Sequence, residues 1–166
     1  METMLKELIA VLESQTKLYR TLLEILHREK KVLVSADIRD VNAVRQEKDA
    51  ILSRVHDMDN VRNDIIRRIS EQLGCPPQGL TITQLAQRVE APFSLSLIQC
   101  ATDIFALIED IRNANDINKS LITHSLQLIR SSIHMLVQAI TPSPVYFRSG
   151  RMYQEELCGA MVSSNV

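Results

Sequence analysis

FSLSLIQCATDIFALIEDIRNANDINKSLITHSLQLIRSSIHMLVQAI, residues Phe93 to Ile140, is the stretch whose reading decides the fold. It contains neither proline nor glycine, and its apolar residues recur in steps of three and four, the spacing of one helix face. At 1.5 Å per residue, roughly 48 residues make a rod of about 70 Å. Helices that cover a small globular core average about three turns, so a rod of this length has to be sheathed by other helices. Its seam reads Ala101, Ile104, Ile108, Ile111, Asn115, Asn118 and Ile122. The phase then slips, and Leu126, Ile129, Ile133, Leu136 and Ile140 continue it; a step of this kind is a stutter, which locally unwinds a supercoil.

The segment before the rod supplies the sheath. Leu5, Ile9, Leu12, Thr16, Tyr19, Leu23, Leu26 and Leu33 form a coiled-coil seam. Lys30 takes one seam position near its end, its stem along the partner and its ammonium reaching water. Ser35 and Asp37 offer N-cap oxygens for a second helix, read through Ile38, Val41, Val44, Lys48, Ile51, Val55, Met58, Arg62, Ile65, Ile69 and Leu73. A link of two or three residues forces that helix back antiparallel along the first. Gly74 and the Pro76-Pro77 pair stop it. Leu80 to Glu90 reads as a short helix with a capping box, Thr81-x-x-Gln84, and Pro92 suits the first turn of the rod. The spacing therefore predicts an all-α protein, an elongated antiparallel bundle with helices over 3–34, 37–73, 82–90 and 93–140.

Thr141-Pro142-Ser143-Pro144 is a stiff extended spacer. Beyond it, Tyr146, Phe147, Met152, Tyr153, Leu157, Met161 and Val162 make the last stretch too apolar for an idle tail, while Gly150 and Gly159 leave it too broken to fold alone. Two parts follow: a helical bundle over 1–140, and a flexible partner-binding tail over 141–166.

Composition narrows the function. Of 166 residues, 45% are apolar and 23% charged, with nine glycines and prolines together, which fits a folded helical chain rather than disorder. A net charge of −1 gives no field to draw in nucleic acid. Three cysteines, Cys75, Cys100 and Cys158, lie far apart, so neither a disulfide framework nor a zinc site is expected. The first residues lack a basic region followed by an apolar block, and no apolar run reaches the ~18 residues of a membrane span. A cytoplasmic protein without membrane insertion is the expectation.

Chemistry is sparse. Glu24-x-x-His27 is one half of a di-metal carboxylate motif, but no second copy exists and both residues flank the seam. His124 on the rod lacks the lysine and glycine that accompany a phosphotransfer histidine. There is no phosphate loop, nucleophile elbow or His-Glu-x-x-His, and Cys100 reads as a small core residue. No catalytic residue, metal or cofactor is expected, and function should lie in surfaces. Asn115 and Asn118 read as a buried polar layer that fixes helix register, with a role in a binding site as the other reading.

Leu26-His-Arg-Glu29-Lys-Lys-Val-Leu33 leading to Asp37, then Val41, Val44 and Lys48, Asp59-x-x-Arg62, Asn115-Asp-Ile-Asn118 with Leu121 and Ile122, and Tyr146-Phe-Arg-Ser-Gly150 follow one another in an order that resembles the FlgN family. These are the bacterial flagellar export chaperones for hook-associated junction proteins. No single motif is specific; their order and spacing carry the likeness. Valine stands at 41 and 44 where the family often has leucine, and the insert from Gly74 to Pro92 is a variable region. The resemblance implies a cytosolic chaperone that binds the helical terminal segments of hook-associated proteins, keeps them from assembling early and delivers them to the type III export gate. It also maps substrate capture and gate docking onto Tyr146, Gly150 and the apolar residues beyond. A phosphotransfer bundle using His124 and a structural coiled-coil oligomer are the alternatives; the sequence leaves open whether the chain forms a homo-oligomer.

Overall fold

In the computed structural model of the protein, which describes residues 1–35, 38–76 and 80–140, α1 spans Glu2–Ser35 and α2 spans Ile38–Leu73. The short α3 covers Ile82–Ala86 and the long α4 covers Phe93–Ile140. No strand occurs among the described residues, so the protein is all-α, as the periodicity predicts.

The helix ends follow the local chemistry. Gly74, at φ 65°, ends α2 in the left-handed conformation that glycine adopts without a Cβ penalty. Its N–H donates to Glu71 O and that of Cys75 to Ser70 O, the paired bonds of a Schellman cap. At the start of α3, Thr81 Oγ1 accepts from Gln84 N while Gln84 Oε1 accepts from Thr81 N, so the expected capping box is present. α3 is shorter than the expected 82–90. The N–H of Arg88 donates to Leu85 O three residues back, and this tightened turn ends the helix. Pro92 lies just ahead of α4 and its carbonyl accepts from Ser96 N. Asp37, the other expected cap, lies outside the described residues.

The chain divides into two compact units, Met1–Thr123 and the segment from His124 onward. The division falls next to Ile122, where the apolar spacing of α4 slips phase. In the first unit α1 and α2 run antiparallel: Glu7 pairs with Arg68, Gln15 with Asp59, and Glu29 with Lys48, so one series rises as the other falls. The α4 residues of this unit run parallel to α1. Leu97, Cys100 and Ile104 share a core with Leu5, Leu8 and Leu12, and further along Ala114 joins Leu18, Leu22, Ile25 and Leu26.

Two apolar clusters result. One also takes Ile65 and Ile69 from α2 and Leu80, Leu85 and Ala86 from the α2–α4 connection, which therefore helps to close the core. The other takes Val44 and Ile51 from α2. Each large side chain buried here contributes about 1.5–3 kcal/mol. Between the clusters lies Gln15, fully buried, whose Nε2 donates to Asp59 Oδ1 at 2.8 Å.

The α1 seam is wider than the predicted single line. Leu5, Leu12, Thr16 and Leu26 are buried as expected, but so are Leu8, Gln15, Leu18, Leu22, Ile25 and Glu29. α1 packs against α2 and α4 together, so it buries a broad face rather than one coiled-coil line. Lys30, placed in the seam by the spacing, is exposed; its neighbour Glu29 takes the buried position.

Candidate partner-binding surface

Residues 124–140 of α4 continue the helix because nothing in them breaks it, and Ser132 satisfies its hydroxyl on Leu128 O within the same helix. Their composition is unusual for a surface: Arg130 is the sole charged residue, apart from His124 and His134. Leu126, Ile129, Ile133, Leu136 and Ile140 lie on one stripe by their steps of three and four, and all are 50–66% exposed. Leu128 and Met135, seven residues apart, are each 69% exposed on another side of the helix. Scattered exposed leucines are ordinary; a contiguous apolar stripe marks an interaction surface.

Such a stripe suits a partner helix that lays its own apolar face along it. Burying five side chains of this size is worth gross about 8–15 kcal/mol, from which the cost of association and ordering is subtracted. No catalytic arrangement accompanies the stripe, and no group of three metal-ligating side chains occurs among the described residues. His124 is exposed here, while Glu24 and His27 are exposed on α1.

The two asparagines part company in the first unit. Asn118 is 2% exposed; its Nδ2 donates to Leu26 O at 2.9 Å and to Glu29 Oε2 at 2.8 Å. The other Glu29 oxygen takes the Lys48 ammonium. This places α1, α2 and α4 around one buried carboxylate, an arrangement that leaves the Asn118 Oδ1 without a partner. Asn115 is exposed. The second polar group joins Gln15 and Asp59 to Arg62, which pairs with Asp59 at 2.9 Å. Burial pushes the Tyr19 hydroxyl above its usual range, the Asp59 charge adds to this, and Arg62 opposes it. Burial likewise pushes the Cys100 thiol up, helped by Glu13 and Asp103, so this cysteine is a core side chain rather than a nucleophile.

Tyr146, Phe147, Gly150, Met152, Tyr153, Leu157, Met161 and Val162, the tail residues expected to bind a partner, lie outside the described residues. By its spacing the α4 stripe continues the buried seam, yet in the structure it is exposed. The sequence signal for that exposure as a binding surface is the near-absence of charge between His124 and Ile140, since a solvated helix face normally carries several charges. No helix among the described residues is long and apolar enough to cross a membrane.

A family model described as FlgN protein matches residues 1–154. No curated protein and no solved structure matches the chain.

Proposed function

The chain belongs to the FlgN family, and on that footing we propose that it is a flagellar export chaperone acting in the cytoplasm on hook-associated junction proteins. It binds their helical terminal segments, prevents premature assembly and hands them to an export gate component. It acts by binding, without a catalytic step. The observation that carries this reading is the α4 stripe from Leu126 to Ile140, five large apolar side chains 50–66% exposed along a segment with one charged residue. Terminal helices of filament proteins are adhesive until assembled, and a stripe of this chemistry covers the apolar face of one such helix.

The tail residues Tyr146 to Val162 are proposed to contribute to capture and to docking at the gate, as the family resemblance implies. Ordering of a segment on binding costs free energy, which holds affinity down and makes release easy. The test is titration calorimetry of the full chain with the terminal helical segment of a hook-associated protein. Binding by the native chain and its loss in Leu136→Asp, with far-UV circular dichroism unchanged, is the expected result. Native affinity retained in Leu136→Asp refutes the role of the stripe.

A further inference from the structure

The exposed stripe of α4 has a counterpart in the chain's own sequence, and both fall in the second unit, from His124 onward. Read backwards from the end of α4, the stripe runs Ile140, Leu136, Ile133, Ile129 and Leu126, in steps of four, three, four and three. Read forwards beyond it, Tyr146, Gly150, Tyr153, Leu157 and Ala160 follow the same steps in the same order. Two antiparallel helices meet with one read forwards and the other backwards, so equal orders of steps stack layer on layer. Each line is about 21 Å long at the rise of a helix.

The layers also match in volume and polarity. Leu136 comes opposite Gly150 and Leu126 opposite Ala160, so two leucines meet small positions, while Tyr153 and Leu157 fill the space over Ile133 and Ile129. On one flank Phe147 comes beside Val137, and Gln154 beside Arg130, where the guanidinium can donate to the amide oxygen. The tail's four charged residues, Arg148, Arg151, Glu155 and Glu156, all fall off this line, where a helix packed on one face keeps its charges. Between the two lines stand five residues, Thr141 to Val145, within the range of about 2–8 that joins antiparallel helices. Pro142 and Pro144 among them do not continue a helix.

We infer that residues Tyr146 to Ala160 form a helix that lies antiparallel on the α4 stripe of the same chain and covers it until a cargo helix takes its place. The cover itself rests on the matched spacing and the exposure of the stripe; the competition with cargo rests on the chaperone reading above. Gly150 and Gly159 weaken this helix on its own, so it forms against the stripe and not apart from it. The short tether holds the tail at a high effective concentration beside the stripe, which favours it over a second copy of the chain. Closed and open forms are in equilibrium, and the affinity for cargo is reduced in proportion to the open fraction.

The experiment puts a nitroxide spin label on the full chain at Ser132→Cys, with Cys75, Cys100 and Cys158 replaced by alanine, and reads the broadening of amide NMR signals along the tail. Ser132 is exposed, and its neighbour Ile133 stands opposite Tyr153 in the inferred register. Broadening should peak at residues 152–156 and be weaker at 141–145, which are nearer in sequence. Leu157→Asp should abolish the peak while the signals of residues 1–123 stay in place. Broadening that falls steadily with distance in sequence from the label, or a peak that survives Leu157→Asp, overturns the cover. A peak seen on an isotope-enriched chain without label, mixed with a labelled one, puts a second copy on the stripe and overturns it as well. Adding the terminal helical segment of a hook-associated protein should remove the peak. If that segment binds in titration calorimetry and the peak persists, the competition is overturned. If it does not bind although the peak is present, the cargo reading fails and the cover stands.

Discussion

Asn118→Asp changes one side-chain nitrogen to oxygen and little else, and its consequences can be worked from the surroundings of that atom. In the native chain Nδ2 donates to Leu26 O at 2.9 Å and to the Glu29 carboxylate at 2.8 Å. Losing a hydrogen bond to a charged acceptor costs about 1.5–3 kcal/mol and losing one to a carbonyl about 0.5–1.5 kcal/mol. The substitution also brings a second carboxyl group to within hydrogen-bond distance of Glu29, where two negative charges cannot both persist. One group keeps a proton, so its folded pKa rises above the unfolded value. The contribution of that proton is then fully present below the ordinary carboxylate range. It is lost as pH rises, at about 1.4 kcal/mol for each pH unit between the unfolded and folded pKa. Lys48, paired with the other Glu29 oxygen, offsets part of this. The expected destabilisation is about 2–4 kcal/mol near pH 4 and about 3–6 kcal/mol near pH 7, against a total of about 5–15 kcal/mol for an ordinary domain. Urea unfolding followed by far-UV circular dichroism at both pH values measures it, with m-values compared to show that the same surface unfolds. Asn118→Leu is the comparison: it removes the donor without adding a second acid, so its effect should vary with pH less than that of Asn118→Asp. A loss under about 1 kcal/mol at both pH values for Asn118→Asp would refute the buried arrangement of Asn118 and Glu29.

Core and stripe should respond in opposite ways. Ile69→Ala, at a fully buried position, should cost about 2–5 kcal/mol in urea unfolding, whereas Leu136→Ala, at an exposed one, should stay within about 0.5 kcal/mol. Alkaline stability should be limited by Cys100 and Tyr19. Burial is the largest cause in both cases, and it holds both folded pKa values above the ordinary thiol and phenol values. Stability from each is complete below its unfolded pKa and lost as pH rises through its folded one. Unfolding free energies taken from about pH 8 upward should therefore fall less steeply in the Cys100→Ala, Tyr19→Phe double variant than in the native chain.

The helix ends were legible because they rest on local chemistry. Gly74, the Thr81–Gln84 box and Pro92 mark boundaries within a few residues, and the structure places breaks at each. Which residues of α1 are buried was legible only in part. A seam drawn for one partner helix finds Leu12 and Leu26 but passes over Leu8, Leu18, Leu22 and Ile25, which are buried because α4 returns parallel to α1 as a second partner. Glu29 is the sharper case. Nothing in its neighbourhood announces a buried carboxylate; what stabilises it comes from Lys48, 19 residues away, and Asn118, 89 residues away. Pairing Asn115 with Asn118 follows from their spacing, yet only Asn118 meets these groups. The α4 stripe shows the opposite limit. Its periodicity is plain, but periodicity alone does not distinguish a stripe covered by a neighbouring helix from one that waits for a partner.

The polar plane through Gln15 and Asp59 has a consequence for how this chain can vary. Leu8, Ile69 and Leu97 pack together on one side of it, and Leu22, Ile51 and Ala114 on the other. Substitutions far apart and without shared partners combine additively, while neighbours couple. A change of volume on one side is therefore compensated by residues of that side alone. The half that holds Leu22, Ile51 and Ala114 is therefore free to change shape without retuning the half that is closed by α3 and the α2–α4 connection.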